Sequence, residues 1–311
     1  MIQLIRNENM KIYKRKRTWL IIILLILYVL IQMANLKSSG MTEYNEGWKT
    51  LLQHENSKLT RDAAKSDALP IEKKMAAEKI LMNQYYLDHN IAPQSNAWSF
   101  TVSQSRNLIV GISLLALIVA GDIVASEFSA GTIKFLLTRS ATRSKIYFSK
   151  YIATLLFGIF LVLLTFLAAI FFGGLMFGFK GIGDPYFFVK DQTIQQADMI
   201  QALLGGFLFN IPFMVIVLTF AFMISAAFRS VTFSIVFSML AAIAGFVLSI
   251  TMNGWPWTKY FVFSSTDLNP YFFGTTPVEG MTLGFSLFLL LLHLVAMHLV
   301  SYPIFTKRDV I

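Results

Sequence analysis

Long stretches without a charged residue recur along this chain, and the charges are confined to the connections between them. A helix needs about 20 apolar residues to cross the hydrocarbon layer of a bilayer. The mean hydropathy of +0.62 is also too high for an ordinary soluble domain. We therefore predict an all-α polytopic membrane protein. Its six transmembrane spans are expected at about 18–36, 107–125, 151–178, 201–227, 231–252 and 281–303.

The first span also has the basic start and apolar core of a signal peptide. Its core is long, however, and Ala34-Asn35-Leu36 does not supply the small residues of a cleavage site. We interpret this span as a retained helix, with cleavage as the alternative. The orientation of the remaining spans is the same in either case.

The charges predict which way the chain faces. Counted across the six predicted spans, one side holds 14 basic and four acidic residues, and the other holds 12 basic and 13 acidic residues. The positive-inside rule places the basic side, with both termini, in the cytoplasm. The net charge of +9 is thus a topology signal and predicts no nucleic-acid partner. The abundance of Lys, Ile and Phe suggests a bacterial cell membrane.

Two connections outside the spans are predicted to be helical. Residues 1–17 carry apolar residues at helical spacing beside a basic cluster, which predicts a cytoplasmic interfacial helix ahead of the transmembrane domain at 18–311. A solvated basic tail is the alternative. The loop 37–106 is the large extracytoplasmic connection. Asp67 and Pro70 are typical of a helix start, so we expect helices near 43–66 and 70–88 in a small outer cap.

The later spans contain a break, a tight hairpin and an aromatic connection. Asn210-Ile211-Pro212 removes a backbone donor and predicts a kink in the fourth span. Spans four and five are joined only by residues 228–230, which predicts an antiparallel hairpin. The stretch 253–280 is aromatic and interrupted by Pro256 and Pro270. It is interpreted either as short re-entrant helices or as a plain aromatic belt at the interface.

Several patterns that resemble chemical sites are interpreted as structural. Without cysteine, and with four histidines far apart or on different helix faces, the chain predicts no metal site. His54 and His89 are expected at the surface, whereas His293 and His298 lie five apart and about 140° around a helix. Gly181-Ile-Gly-Asp184 is expected to form a turn rather than a protease motif. No phosphate-binding loop is present in the sequence, so no cofactor is expected on this chain.

The connection between the second and third spans, 126–150, carries both apolar and basic residues. Asp122 ends the second span and Glu127 follows five residues later. Gly131 permits a sharp turn, and Thr132 is suited to cap a new helix. A helix with basic residues from Lys134 onward is therefore predicted at the cytoplasmic membrane surface. The alternative is a charged interface loop with no further role.

The same segment carries a family pattern. The run Asp122-x-x-x-x-Glu127-x-x-x-Gly131-Thr-Ile-Lys-x-Leu-Leu-x-x-x-x-x-Arg143, ending in Ser149-Lys150-Tyr151, resembles the cytoplasmic signature of permease subunits of ABC-2 type exporters. The order of spans, outer loop, hairpin and broken outer segment is similar to that family along the whole chain. Ser140 departs from the pattern, because the family usually has a proline there, and this leaves the shape of the turn at 139–142 open.

The resemblance implies six transmembrane helices of the ABC-2 type and an exporter powered by another polypeptide. It implies that 126–150 couples to a cytoplasmic ABC ATPase, which would hold ATP and Mg²⁺, and that a second permease, identical or paralogous, completes the pore within the lipid. The cargo is expected to be amphipathic or lipid-like, such as a peptide antibiotic, with a role in export, resistance or immunity. The resemblance assigns the coupling region to Asp122, Glu127, Gly131, Thr132, Lys134 and Arg143.

Two other functions remain open at this point. A secondary transporter would place ionisable residues inside its spans, and this chain offers only the two histidines of the sixth span. A membrane sensor or scaffold would use the outer loop 37–106 to bind a ligand without moving cargo. Neither alternative explains the cytoplasmic segment 126–150 as well as the exporter, and in none of the three is this chain itself an enzyme.

Overall fold

The structure, a computed structural model, describes residues 1–38, 47–66, 70–93, 96–132, 141–228, 230–252, 255–276, 278 and 280–307. The helices are α1 (Ile2–Lys14), α2 (Lys16–Ser38), α3 (Trp48–Ala63), α4 (Pro70–Asp88), α5 (Ala97–Asp122), α6 (Ala125–Ser129), α7 (Arg143–Phe177), α8 (Met199–Leu208), α9 (Ile211–Ala227), α10 (Val231–Thr251), α11 (Pro270–Phe273) and α12 (Leu283–Lys307). The strands are β1 (Tyr186–Lys190) and β2 (Thr193–Ala197).

Six helical segments in the described part of the chain are long and apolar enough to cross a membrane. They correspond to α2, α5 with α6, α7, α8 with α9, α10 and α12. This number confirms the six predicted spans, and the fold is mostly helical as expected. Each segment meets this condition by its length and its composition.

The core of the bundle is built around α5, which packs most extensively against α7 and α9. This helix begins at Ala97, well before the predicted start of the second span at residue 107. The early start has a local cause: the Asn96 side chain accepts hydrogen bonds from the backbone of Trp98 and Ser99, and the Ser99 hydroxyl accepts one from Asn96 in return. The hydropathy criterion did not include the start of α5, because its first turns contain polar residues, among them Arg106.

The predicted break in the fourth span is present between α8 and α9. Pro212 lies in the first turn of α9, where its missing amide hydrogen is tolerated. The Asn210 side chain donates to the Gly206 carbonyl at 2.7 Å, and the Phe209 carbonyl accepts from the Leu268 amide at 2.9 Å. The backbone groups near the break thus find partners inside the protein, as a helix break in a membrane requires.

The two helices predicted for the cap are present, together with one strand pair that was not predicted. Helices α3 and α4 pack together, and α4 begins at Pro70, whereas Asp67 lies outside the described residues. The fold is not entirely helical, because β1 and β2 pair as an antiparallel hairpin. Asp191 and Gln192 form its two-residue turn with φ of 48° and 60°, the left-handed conformations that match the twist of a hairpin.

The stretch 253–280 contains short helices that pack into the bundle. Two 3₁₀ helices, Pro256–Tyr260 and Val262–Ser265, precede α11. Val262 and Leu268 join Ile216 of α9 and Leu290 of α12 in one buried cluster. The segment thus forms short helices, and both alternatives, re-entrant helices and an aromatic belt at the interface, stay predictions.

The Gly181-Ile-Gly-Asp184 pattern and the two histidines of α12 make ordinary structural contacts. The Asp184 amide donates to the Gly181 carbonyl at 3.2 Å, which closes the expected turn. His298 lies 2.7 Å from the Tyr147 hydroxyl of α7, whereas His293 bonds the Leu289 carbonyl of its own helix at 2.9 Å. The two histidines of α12 therefore have separate partners.

Candidate functional site

Helix α1 packs against α7 and α2 at the end of the bundle where α7 begins. Its buried residues are Glu8 and Ile12, which lie four apart and therefore share one helix face. Ile12 enters the main hydrophobic core. Glu8 is only 4% exposed. A carboxylate at such a position is costly unless it is paired with a cation and hydrogen-bonded.

The cation is Lys150, which lies two turns inside α7 and has no exposed surface. Its ammonium nitrogen is 2.8 Å from Glu8 Oε2, 2.7 Å from Glu127 Oε1 and 3.3 Å from the Ile123 carbonyl. An ammonium group has three donors, so each of them has an acceptor. Lys150 thereby joins α1, α6 and the chain between α5 and α6.

Lys11 closes these contacts into a ring of two lysines and two glutamates. Its ammonium nitrogen lies 2.7 Å from Glu8 Oε1 and 2.9 Å from Glu127 Oε1. Burial raises the pKa of Glu8, but Lys150 and Lys11 outweigh it and hold that pKa below its usual value. Burial likewise lowers the pKa of Lys11, but Glu8 and Glu127 outweigh it and raise that pKa. The pairing therefore favours the charged forms of both groups.

A second ion-pair cluster lies beside the ring. Asp122 at the end of α5 is buried and pairs with both Arg15 and Arg17, with Arg17 Nη1 2.7 Å from its Oδ1. Arg15 also reaches the Ser126 hydroxyl at 3.4 Å. We call the seven residues of both clusters the charged junction: Glu8, Lys11, Arg15, Arg17, Asp122, Glu127 and Lys150.

The break between α5 and α6 is held by a neighbouring helix. The Ser225 hydroxyl of α9 accepts hydrogen bonds from the amides of Val124 and Ala125 at 3.2 and 3.0 Å. Gly121 lets α10 approach closely, because a Cβ there would lie 3.3 Å from the Ile235 backbone. The charged junction is thus supported from α9 and α10 as well as from α1 and α7.

The six residues assigned to the coupling region by resemblance occupy different surroundings. Asp122 and Glu127 lie together in the charged junction. Gly131 has a φ of +68°, as a sharp turn requires, and the Thr132 hydroxyl donates to the Glu127 carbonyl at 3.4 Å. Arg143 contacts a different element, donating to the Thr306 carbonyl at the end of α12 at 2.8 Å. Lys134, with the helix expected after Thr132, lies outside the described residues.

The burial of Glu127 changes the role that it can play. It is 6% exposed, and its second oxygen, Oε2, is buried and bonds no described residue. A side chain in this position acts on helices of its own chain and presents little surface to another protein. Among the described residues of this turn, Ser129, Ala130, Gly131 and Thr132 are exposed.

Sequence reasoning counted the partners of Asp122 and Glu127 as charges that set the topology and quoted Lys150 at the end of the family-like pattern, but it predicted none of these pairings. One signal could have pointed to them: Glu8 shares the apolar face of an amphipathic helix with Ile12, which predicts a buried cation opposite it. The identity of that cation was not readable, because Lys150 is 142 positions away in the sequence.

The described part of the chain holds six apolar helical segments of membrane-crossing length, with the charges of the junction gathered at one end, which is the architecture of a multi-pass membrane protein. The chain belongs to the family described as "Protein of unknown function (DUF2705)", which matches residues 72–311. It is 35% identical to "Uncharacterized protein YhcI" of Bacillus subtilis (strain 168), over 100% of this chain and 99% of that protein. It is also 28% identical to "Uncharacterized membrane protein YdbK" of the same organism, over 67% of this chain and 82% of that protein. No solved structure matches.

Proposed function

We propose that this chain is the permease subunit of an ABC-2 type exporter in a bacterial cell membrane. ATP and Mg²⁺ belong to a separate cytoplasmic ATPase, and this chain has no catalytic role. The observation that carries the proposal is the buried ring of Glu8, Lys11, Glu127 and Lys150. It joins α1, α6 and α7, and two of its members, Glu127 and Lys150, belong to the segment 126–150, which carries most of the family-like pattern.

The ring supports a mechanical role because moving its helices apart would break ion pairs between buried charges. Pulling α1 away from α7 breaks the contacts of Glu8 with Lys150 and of Lys11 with Glu127, and leaves Glu8 with Lys11 and Lys150 with Glu127. Each buried charge then has one partner where it had two, which is unfavourable in a low-dielectric interior. The three helices therefore move as one block when a force acts on the segment 126–150. Arg143 extends the block to the end of α12. ATP-driven closure of a motor docked at this segment would in this way reach several spanning helices together.

The remaining parts of the proposal concern cargo and assembly. The outward faces of α2, α10 and α12 are apolar, with Leu27, Leu240 and Leu291 exposed by 49%, 63% and 61%. These faces suit contact with lipid or with a second permease. A second copy or a paralogue completes the path for the cargo. The cargo is amphipathic or lipid-like, as in peptide-antibiotic export or immunity.

The experiment uses photo-crosslinking from a single cysteine, because the natural chain contains none. Thr132→Cys places a label beside the charged junction, and Leu51→Cys, exposed on α3 at the other end, is the matched control. Each variant is labelled with benzophenone maleimide in native membranes. We expect a stoichiometric adduct between Thr132→Cys and a protein with a phosphate-binding loop, and none from Leu51→Cys. If the tagged chain purifies without such a protein and gives no adduct, the proposal is wrong.

A secondary transporter is the second candidate, and one contact favours it. Arg106 of α5 lies 3.3 Å from Asp267 of the broken segment, so the fold holds an ion pair that the spans predicted from sequence did not contain. Burial raises the pKa of Asp267, although Arg106 and the Asn269 amide oppose that shift. Transport that an uncoupler abolishes and that ATP depletion leaves intact would favour this candidate over the exporter.

A further inference from the structure

A groove of about 1050 Å³ opens between the outer cap and the β-hairpin. It lies at the end of the bundle opposite the charged junction, since α7 begins at the junction and ends just before the hairpin. The volume is near the upper end of what pockets for small molecules occupy, about 300–1,000 Å³. Nothing in the proposed coupling mechanism uses this groove.

The lining of the groove is aromatic and rich in methionine. Phe187 and Phe188 of β1 and Phe273 of α11 line it together with Met75 and Met82 of α4. Met75 is 62% exposed. Flexible, polarisable methionine side chains adapt to ligands of varied shape, and exposed apolar surface of this kind marks an interaction site.

An aromatic path connects the groove to the spanning helices. The Phe188 and Phe273 rings are 5.7 Å apart, and Phe273 lies 6.3 Å from Phe209 at the break between α8 and α9. Phe209 in turn stacks on Phe272 at 4.1 Å. Phe272 is 41% exposed. A chain of packed aromatic rings thus connects the wall of the groove to the break between α8 and α9.

The rim of the groove carries both signs of charge. Asp62 and Lys65 pair at 2.7 Å, and Glu72, Glu78 and Lys79 of α4 also line the groove. The groove therefore holds three acidic and two basic side chains. A ligand head with one sign of charge would meet a like charge here, whereas a zwitterionic head finds a complement for each of its groups.

We propose that this groove binds one amphipathic molecule with an acyl chain and a zwitterionic head, exchanged with the outer leaflet. The chain lies on Phe187, Phe188 and Met75, and the head lies at the charged rim. As an outer station for exported cargo the site rests on the proposed function, but binding itself requires no ATP.

The test measures binding to the purified full chain without any ATPase. Met75→Cys is labelled with an environment-sensitive fluorophore in nanodiscs, and Leu51→Cys, also exposed on the cap but outside the groove, is the control. The probes are lysophosphatidylcholine, anionic lysophosphatidylglycerol and a cationic amphipathic peptide. We expect a saturable blue shift at position 75 with the zwitterionic lipid, weaker binding of the anionic lipid, and no saturable response at position 51.

A substitution in the lining of the groove tests whether the response is specific to it. Phe187→Ala removes the apolar contacts of one ring with the ligand, and we expect a roughly tenfold loss of affinity. Its circular dichroism spectrum checks that the variant remains folded. The assignment is wrong if the response at 75 matches that at 51, if folded Phe187→Ala binds as well as the natural chain, or if only the peptide saturates the groove. Saturable lipid binding by a chain that recruits no ATPase would retain the site and contradict the exporter.

Discussion

Lys150 shows how one residue can be decisive without any contact with solvent. Its position two turns inside α7 is fully buried, and each of its donors is used within its own chain. The sequence indicated Asp122 and Glu127 through a local pattern, because they are five residues apart. It could not indicate Lys150 or Glu8 as their partners, since that pairing depends on how α1 folds back across the bundle.

We expect Lys150→Met to destabilise the protein by about 3–5 kcal/mol, because it leaves buried carboxylates without one of their cations. Lys145→Met is the matched control, since Lys145 is an exposed lysine on the same helix. The measurement is thermal unfolding of both variants in one detergent. Equal melting temperatures for the two would contradict the buried ring.

The lowered pKa of Glu8 predicts an acid-sensitive stability. A carboxyl group whose pKa falls on folding stabilises the protein above its unfolded value of 4.5, and this stabilisation is lost as the pH falls through the folded pKa. The groups that face it are Lys11, Lys150 and Glu127. We expect Glu8→Gln to flatten the decline in melting temperature below about pH 4.5, and parallel curves for the two proteins would argue against it.

At the scale of elements, local residues determine where the helices break, whereas the side chains that bond the free backbone groups at a break can come from distant parts of the chain. Pro212 predicted the break between α8 and α9, and Gly131 predicted the turn after α6. The hairpin of β1 and β2 was missed because its turn, Asp191-Gln192, lacks the glycine that usually identifies such turns. The Ser225 hydroxyl that caps the break between α5 and α6 lies about 100 positions from the amides it accepts.

Removing that hydroxyl tests the support directly. Ser225→Ala leaves the amides of Val124 and Ala125 buried without an acceptor, and we expect a loss of about 1–3 kcal/mol. Ser234→Ala is the control, because the Ser234 hydroxyl is also buried but bonds only the Ser230 carbonyl of its own helix turn. Chemical unfolding should rank Ser225→Ala clearly below Ser234→Ala in stability, and the reverse order would remove the assigned role.

At the scale of the whole molecule, the two candidate sites lie at opposite ends of the bundle. The charged junction is at one end and the aromatic groove at the other, and α5 and α7 run between these ends. Orientation in the membrane was derived only from the charges, which place the junction in the cytoplasm and the groove outside.

Cysteine accessibility in intact cells tests this orientation. An impermeant maleimide is expected to label Leu51→Cys from outside and Thr132→Cys only after the cells are permeabilised. Both residues are exposed in the structure, and the cysteine-free parent reports the background. The opposite labelling pattern would invert the topology and place the coupling segment outside the cell.

The sequence by itself determined the number of spanning helices, their approximate bounds, the helical cap and the breaks, because each depends on hydropathy or turn chemistry within a few residues. Through a local pattern it also indicated the segment that we propose as the coupling segment. Only the tertiary structure decided which charges meet in the junction and that Glu127 is buried. The same holds for the groove that β1 forms with α4. These features depend on contacts between residues far apart in the chain, and hydropathy and local spacing contain no information about them.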